Sequence, residues 1–125
     1  MINTPNIKVD KDNISDVVEK LVKKYISNHK LSRTAHEEIT SMTHSDKDVA
    51  YFFYKRELEM TNDIARVLEN NGFNSNNIKE KAHIVMGLVE NLCHEIVYHK
   101  HKELNYDAMT EVVIKEIVNI LTRED

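Results

Sequence analysis

Glycine and proline are scarce here: two glycines and one proline in 125 residues. Strands and tight turns lean on those residues to start and stop, so their shortage excludes a turn-rich β architecture and leaves an all-α fold. Cysteine is represented by Cys93 alone, which excludes an internal disulfide and suits a reducing, cytoplasmic setting. No window approaches the roughly 18–20 apolar residues that cross a bilayer. The opening MINTPNIKVDKD also lacks the basic-then-apolar order of a secretory signal, so no membrane partner is expected. A basic excess is missing too. Lys and Arg number 17 against 21 Asp and Glu, a net charge of −4. Gripping phosphates needs a basic face, so this chain is not expected to bind DNA by itself.

Catalytic signatures are equally absent. There is no G-x-S-x-G, P-loop or G-x-G-x-x-G, and Cys93, at the edge of an apolar helical stripe, reads as a small hydrophobe rather than a thiolate. His94-Glu95-Ile96-Val97-Tyr98 departs from the zinc-protease H-E-x-x-H at its last place, and His36-Glu37-Glu38-Ile39-Thr40 departs at the same one. Glu80 and His83 supply one E-x-x-H step where a di-iron bundle needs two. A cluster of His94, His99, His101 and Cys93 could gather a metal, yet cations near a helix C-terminus ordinarily complement its dipole. No enzyme activity, cofactor or metal is expected.

What is present is helical periodicity. With 41% hydrophobic and 30% charged residues, the chain fits one globular domain able to bury roughly two-thirds of its unfolded surface. Residues 1–12 are polar and carry Pro5; they read as a flexible arm or a truncated end, with the domain at 13–125. Asn13 is placed to cap a helix through Ile14, Val17, Val18, Leu21, Val22, Tyr25 and Ile26. A short helix follows from about Ser32 to Thr43, with Leu31, Ala35, Ile39 and Met42 inward and Glu38 on the same side. Ser45 or Asp46 caps the longest helix, which ends near Asn70 with Gly72 just beyond as a stop. Its apolar face holds Val49, Phe52, Phe53, Met60, Ile64, Val67 and Leu68, and Arg56 projects into the middle of it. A guanidinium buried there requires a carboxylate, so Glu38 and Arg56 are expected as a structural ion pair, with Glu57 as the fallback partner.

The segment from Asn77 to Lys100 carries two apolar stripes. Ile78, Ala82, Val85, Val89, Leu92 and Ile96 make a core face. Ile84, Gly87, Asn91, His94 and Tyr98 step three, four, three, four along roughly the opposite side, the pattern of a helix–helix seam. Glycine in mid-helix costs about 1 kcal/mol relative to alanine, and close approach of a second backbone would compensate. The final helix, capped by Asn105 and reaching Thr122, is apolar over more than half its circumference, with Met109, Val112, Val113, Ile117 and Ile120 among its apolar residues. Two helices with surplus apolar surface point to a homodimer through an intermolecular four-helix bundle. Tyr25, Met42, Phe52, Phe53, Arg56, Met60, Val85, Val89 and Cys93 mix aromatic and thioether side chains with few polar groups, as small-molecule cavities do. An ordinary filled core at helical spacing, in a structural or protein-interaction bundle, is the alternative.

The stretch LSRTAHEEITSMTHSDKDVAYFFYKRELEMTNDIARVLENNGF, followed by AHIVMGLVENLCHEIVYHKHKELNYDAMTEVVIKEIVNIL, resembles the C-terminal effector-binding and dimerisation domain of TetR/AcrR-type transcriptional regulators. The likeness lies in helix order, the short second helix with its inward Glu38, and the wide final helix pair. It implies a five-helix bundle whose last two helices dimerise and whose earlier helices surround a small hydrophobic effector. The family reads its operator through an N-terminal helix-turn-helix domain, which residues 1–12 are too short to supply, so DNA would be reached only through a domain absent from this sequence.

Overall fold

A computed structural model describes residues 8–28, 33–73 and 76–123, apart from the side chains of residues 33, 34 and 36. Among the described residues the chain forms five α-helices and no strand: α1 (Ile14–Ser27), α2 (Arg33–Ser45), α3 (Lys47–Asn70), α4 (Ile78–Tyr98) and α5 (Tyr106–Thr122). The expected helix order is met, and boundaries fall within about two residues of the sequence reading. Leu31 lies outside the described residues.

Local chemistry sets the ends. The Asp46 carboxylate accepts the backbone N–H groups of Asp48 and Val49 at 2.9 and 3.3 Å, satisfying two of the orphan donors of α3. Asn105 Oδ1 accepts Ala108 N–H at 3.0 Å and does the same for α5. Asn13 occupies the cap position of α1 without capping it, because its Oδ1 already accepts Asp10 N–H at 2.7 Å. Asp10 in turn accepts from Asp12 and Asn13, so an Asx-type turn delivers the chain into α1. At the other end of α3, Gly72 adopts φ +83°. Its N–H donates to Glu69 O at 3.1 Å and that of Phe73 to Leu68 O at 2.9 Å, the two bonds of a Schellman motif. Phe73 is thereby folded onto the core.

That core joins four helices. Ile14, Val18 and Val22 of α1, Leu68 of α3, Val85 and Leu92 of α4, and Ile114, Ile117, Ile120 and Leu121 of α5 form one cluster. The α4 helix is central, packing on α3, α5 and α1; α1 also lies on α5. Ala65 of α3 and Ala82 of α4 are almost wholly buried. Of the expected arm, residues 1–7 lie outside the described residues; within residues 8–12, Val9 packs on the core and donates its N–H to Asn71 Oδ1 at 2.8 Å. Lys81, buried at the start of α4, donates from Nζ to the carbonyl of Arg123 and ties that helix to the end of α5.

The α2 helix packs chiefly on α3, and the pair departs from the expected bundle. From Lys47 to Met60 α3 has no buried residue. With 24 residues it runs about 36 Å, against about 21 Å for the 14 residues of α1. Its first half therefore extends past the helices that would cover it, and Phe52, assigned inward from the sequence, is 54% exposed.

Candidate ligand-binding cavity

Between α1, α3, α4 and α5 lies a cavity of about 440 Å³, within the usual range for small-molecule sites. Val18 and Leu21 of α1, Ile64 of α3, Val85 of α4 and Ile117 and Leu121 of α5 contribute to its hydrocarbon walls. Polar side chains reach it at few points: Tyr25 and Lys24 from α1, Asp63 from α3 and Glu90 from α4. Asp63 is already engaged, accepting from Arg66 Nη1 at 3.0 Å one turn along α3. Glu90 is half-buried and has no such partner among the described residues.

Electrostatics follow from this burial. Desolvation, then the like charge of Glu57, raises the Glu90 carboxyl above its ordinary value, while His83 acts in the opposite sense. The Tyr25 hydroxyl is pushed up to about 12, first by burial and then by Glu90 and Cys93. Burial and Glu90 also push the Cys93 thiol up, so at neutral pH it stays protonated, as the side chain of a small hydrophobe would. His83 itself shares a 2.9 Å hydrogen bond between Nδ1 and Thr61 Oγ1.

Of the nine residues assigned to a ligand site from sequence, the structure brings Tyr25, Met60, Val85 and Val89 together on the cavity wall. Cys93 is fully buried beside that wall, close enough to Tyr25 to perturb it and to Glu90 to be perturbed by it. The other four lie elsewhere. Met42, Phe52 and Phe53 border a shallow groove of about 360 Å³ between α2 and α3, and Arg56 is exposed beside them with its guanidinium 5.9 Å from the Phe52 ring centre. The expected ion pair is therefore not formed. Glu38 and Arg56 are both exposed, because the half of α3 that carries Arg56 stands outside the core and water solvates both charges. Reading α3 by its large apolar residues found Leu68 but missed Thr61, Asp63 and Ala65, which the helix also buries. Glu90 and the α1 wall were missed as well. The available signal for Glu90 was its place four residues after Met86 and three before Cys93, on the flank of the core stripe.

The residues assigned to a dimer seam divide in two. On α4, Ile84 is 53% exposed, Gly87 and Asn91 are open to solvent and His94 is half-buried; a Cβ built on Gly87 meets nothing within 4 Å. No close approach within the chain explains this glycine. On α5, Val112 is 64% exposed. Ile117 and Ile120, at 1% and 6%, are instead consumed by the subunit's own core, because α1 lies across α5 and covers that side. Met109 and Val113 pack at the edge of the same core, and Tyr98 is buried within the chain. At the end of α4, Tyr106 Oη donates to Glu95 Oε1 at 3.0 Å and accepts His101 N–H at 2.9 Å, which closes the turn into α5. Among the described residues no three His, Cys, Asp or Glu side chains gather to hold a metal ion. No described helix is long and apolar enough to cross a membrane.

Compared with protein-family models, curated proteins and solved structures, the chain matches none.

Proposed function

We propose that this chain is the regulatory domain of a TetR/AcrR-like transcriptional regulator, which binds a small hydrophobic effector and forms a homodimer. The observation that carries the reading is an apolar cavity of about 440 Å³ lined by four helices, one of which, α4, turns a second stripe of Ile84, Gly87 and Asn91 away from its own subunit. A cavity and an unpartnered face on one helix are what effector-controlled assembly needs, since a ligand that prefers one arrangement of α4 alters how two copies meet. Tight binding without such preference would switch nothing. Operator contact would belong to a helix-turn-helix domain rather than to this acidic bundle.

The seam proposed here is narrower than the sequence expectation, using the outward face of α4 with Val112 and not Ile117 or Ile120. Sedimentation should detect a dimer at tens of micromolar, burying on the order of 1,200–2,000 Å² in total; a monomer there refutes the dimer. Thermal shift against a panel of hydrophobic compounds should find ligands that stabilise by mass action.

A second reading, a helical protein-interaction module without an effector, is favoured by one observation. Met42, Tyr51, Phe52, Tyr54 and Leu58 are all exposed on α2 and the first half of α3. If no compound raises the melting temperature and filling the cavity with Val85→Trp is harmless, this reading replaces the first.

A further inference from the structure

We infer that the cavity takes a molecule with an apolar body and one cationic nitrogen, the nitrogen seated against the Glu90 carboxylate. The inference rests on the cavity being a ligand site, as proposed above, and specifies what that ligand must be.

The walls supply hydrocarbon from four helices, so the body of the ligand is apolar. Its head is decided by the polar groups that face the cavity. Asp63 is satisfied by Arg66, but Glu90 accepts no hydrogen bond and forms no ion pair with any described residue, although it is half-buried. Lys24 is the one lining cation among the described residues, and it sits exposed on α1 without pairing to Glu90. Glu57 of α3 adds charge of the same sign near Glu90. His83 of α4 opposes Glu57 but ranks below it and does not line the cavity; Tyr25 and Cys93 are neutral, and α5 presents only Ile117 and Leu121 to the cavity. The field at this end is negative.

Three ligand classes then separate. An anion meets repulsion from Glu90 and Glu57. A neutral apolar molecule gains from burial but strips water from a carboxylate that has no other partner, which is costly. A protonated amine gains the same burial and supplies the missing charge-assisted hydrogen bond, about twice as strong as a neutral one.

The test is calorimetric titration of the whole chain with phenylbutylamine, phenylbutanol and phenylbutanoate, three molecules that share one apolar body and differ in head charge. The amine should bind at least about tenfold more tightly than the alcohol, and the carboxylate more weakly than either. Glu90→Gln should erase the advantage of the amine over the alcohol; this variant keeps the side chain's shape and removes a desolvated charge, so it should fold. Equal binding of amine and alcohol, or an advantage that survives Glu90→Gln, overturns the inference while leaving the cavity as a ligand site. Failure of all three probes to bind removes the ligand site itself, and the inference with it.

Discussion

Gly87 offers the sharpest test, because one substitution should push the subunit and the dimer in opposite directions. In mid-helix, glycine is less favourable than alanine by about 0.8–1.0 kcal/mol. A Cβ at this position meets no atom within 4 Å and the backbone φ is not positive, so nothing offsets the gain in an isolated chain. Gly87→Ala should therefore stabilise the monomer by about 1 kcal/mol, raising Tm by roughly 3–5 °C for a domain of this size. Gly87→Leu keeps most of that gain in the monomer. Across a seam where two α4 backbones approach, each leucine overpacks by about 1–3 kcal/mol. Two copies together then cost about 2–6 kcal/mol, a rise in dimer Kd of at least roughly thirtyfold. Melting curves at concentrations where the chain is monomeric measure the first effect, and sedimentation velocity over a concentration series the second. A leucine variant that dimerises as before moves the seam off this stripe. An alanine variant that melts lower as a monomer means that the position is packed within the chain, and the exposure argument fails.

Glu90→Gln should melt higher than the wild type at neutral pH. A carboxyl whose folded value is raised contributes its full stability below its ordinary value of 4.5 and loses it as pH rises through the raised value, so the advantage of the variant should shrink towards nothing near pH 4.5. Tyr25 obeys the same sign: its contribution declines from about pH 10 and is gone above about 12, so Tyr25→Phe should flatten the alkaline fall in Tm over that range. Removing the two side-chain caps should have unequal reach. Asn105→Ala should lower global stability by about 1 kcal/mol, because α5 belongs to the core, whereas Asp46→Ala should speed amide exchange in α2 and the first half of α3 with little change in Tm. Leu92→Ala, at a site 2% exposed, should cost about 2–5 kcal/mol, visible as a lower urea midpoint; a loss under 1 kcal/mol would mean that the core is looser than drawn.

Much of this fold could be read from the chain because helices announce themselves locally. Asp46, Asn105 and Gly72 fixed three helix ends through side-chain oxygens and one positive φ, all short-range effects. The core stripe of α4, from Ile78 to Ile96, was legible from 3.6-residue spacing for the same reason. What spacing does not encode is which apolar face finds a partner. Phe52 and Ile120 carry the same hydrophobic signal, yet one extends beyond its neighbours while α1 covers the other. The Glu38–Arg56 pairing failed on that point, since it presumed a core where α3 outruns the bundle. Glu90 and Asp63 were overlooked for the converse reason: a carboxylate in a sequence is taken for surface until the packing of three other helices encloses it. Four of nine ligand residues were found on the cavity wall, those on the stretches of helix that the core covers.

The length of α3 has a mechanical consequence. Its second half is gripped among α4 and the cavity walls, while the first half, about 20 Å from Lys47 to Met60, carries α2 in open solvent. Like an oar in a rowlock, a pivot of about 3–5° at Ile64, where the helix borders the cavity, would sweep the far blade through roughly 1–2 Å by lever length alone. A guest seated between the helices would thus be reported on the outside, at α2, without any residue there touching it.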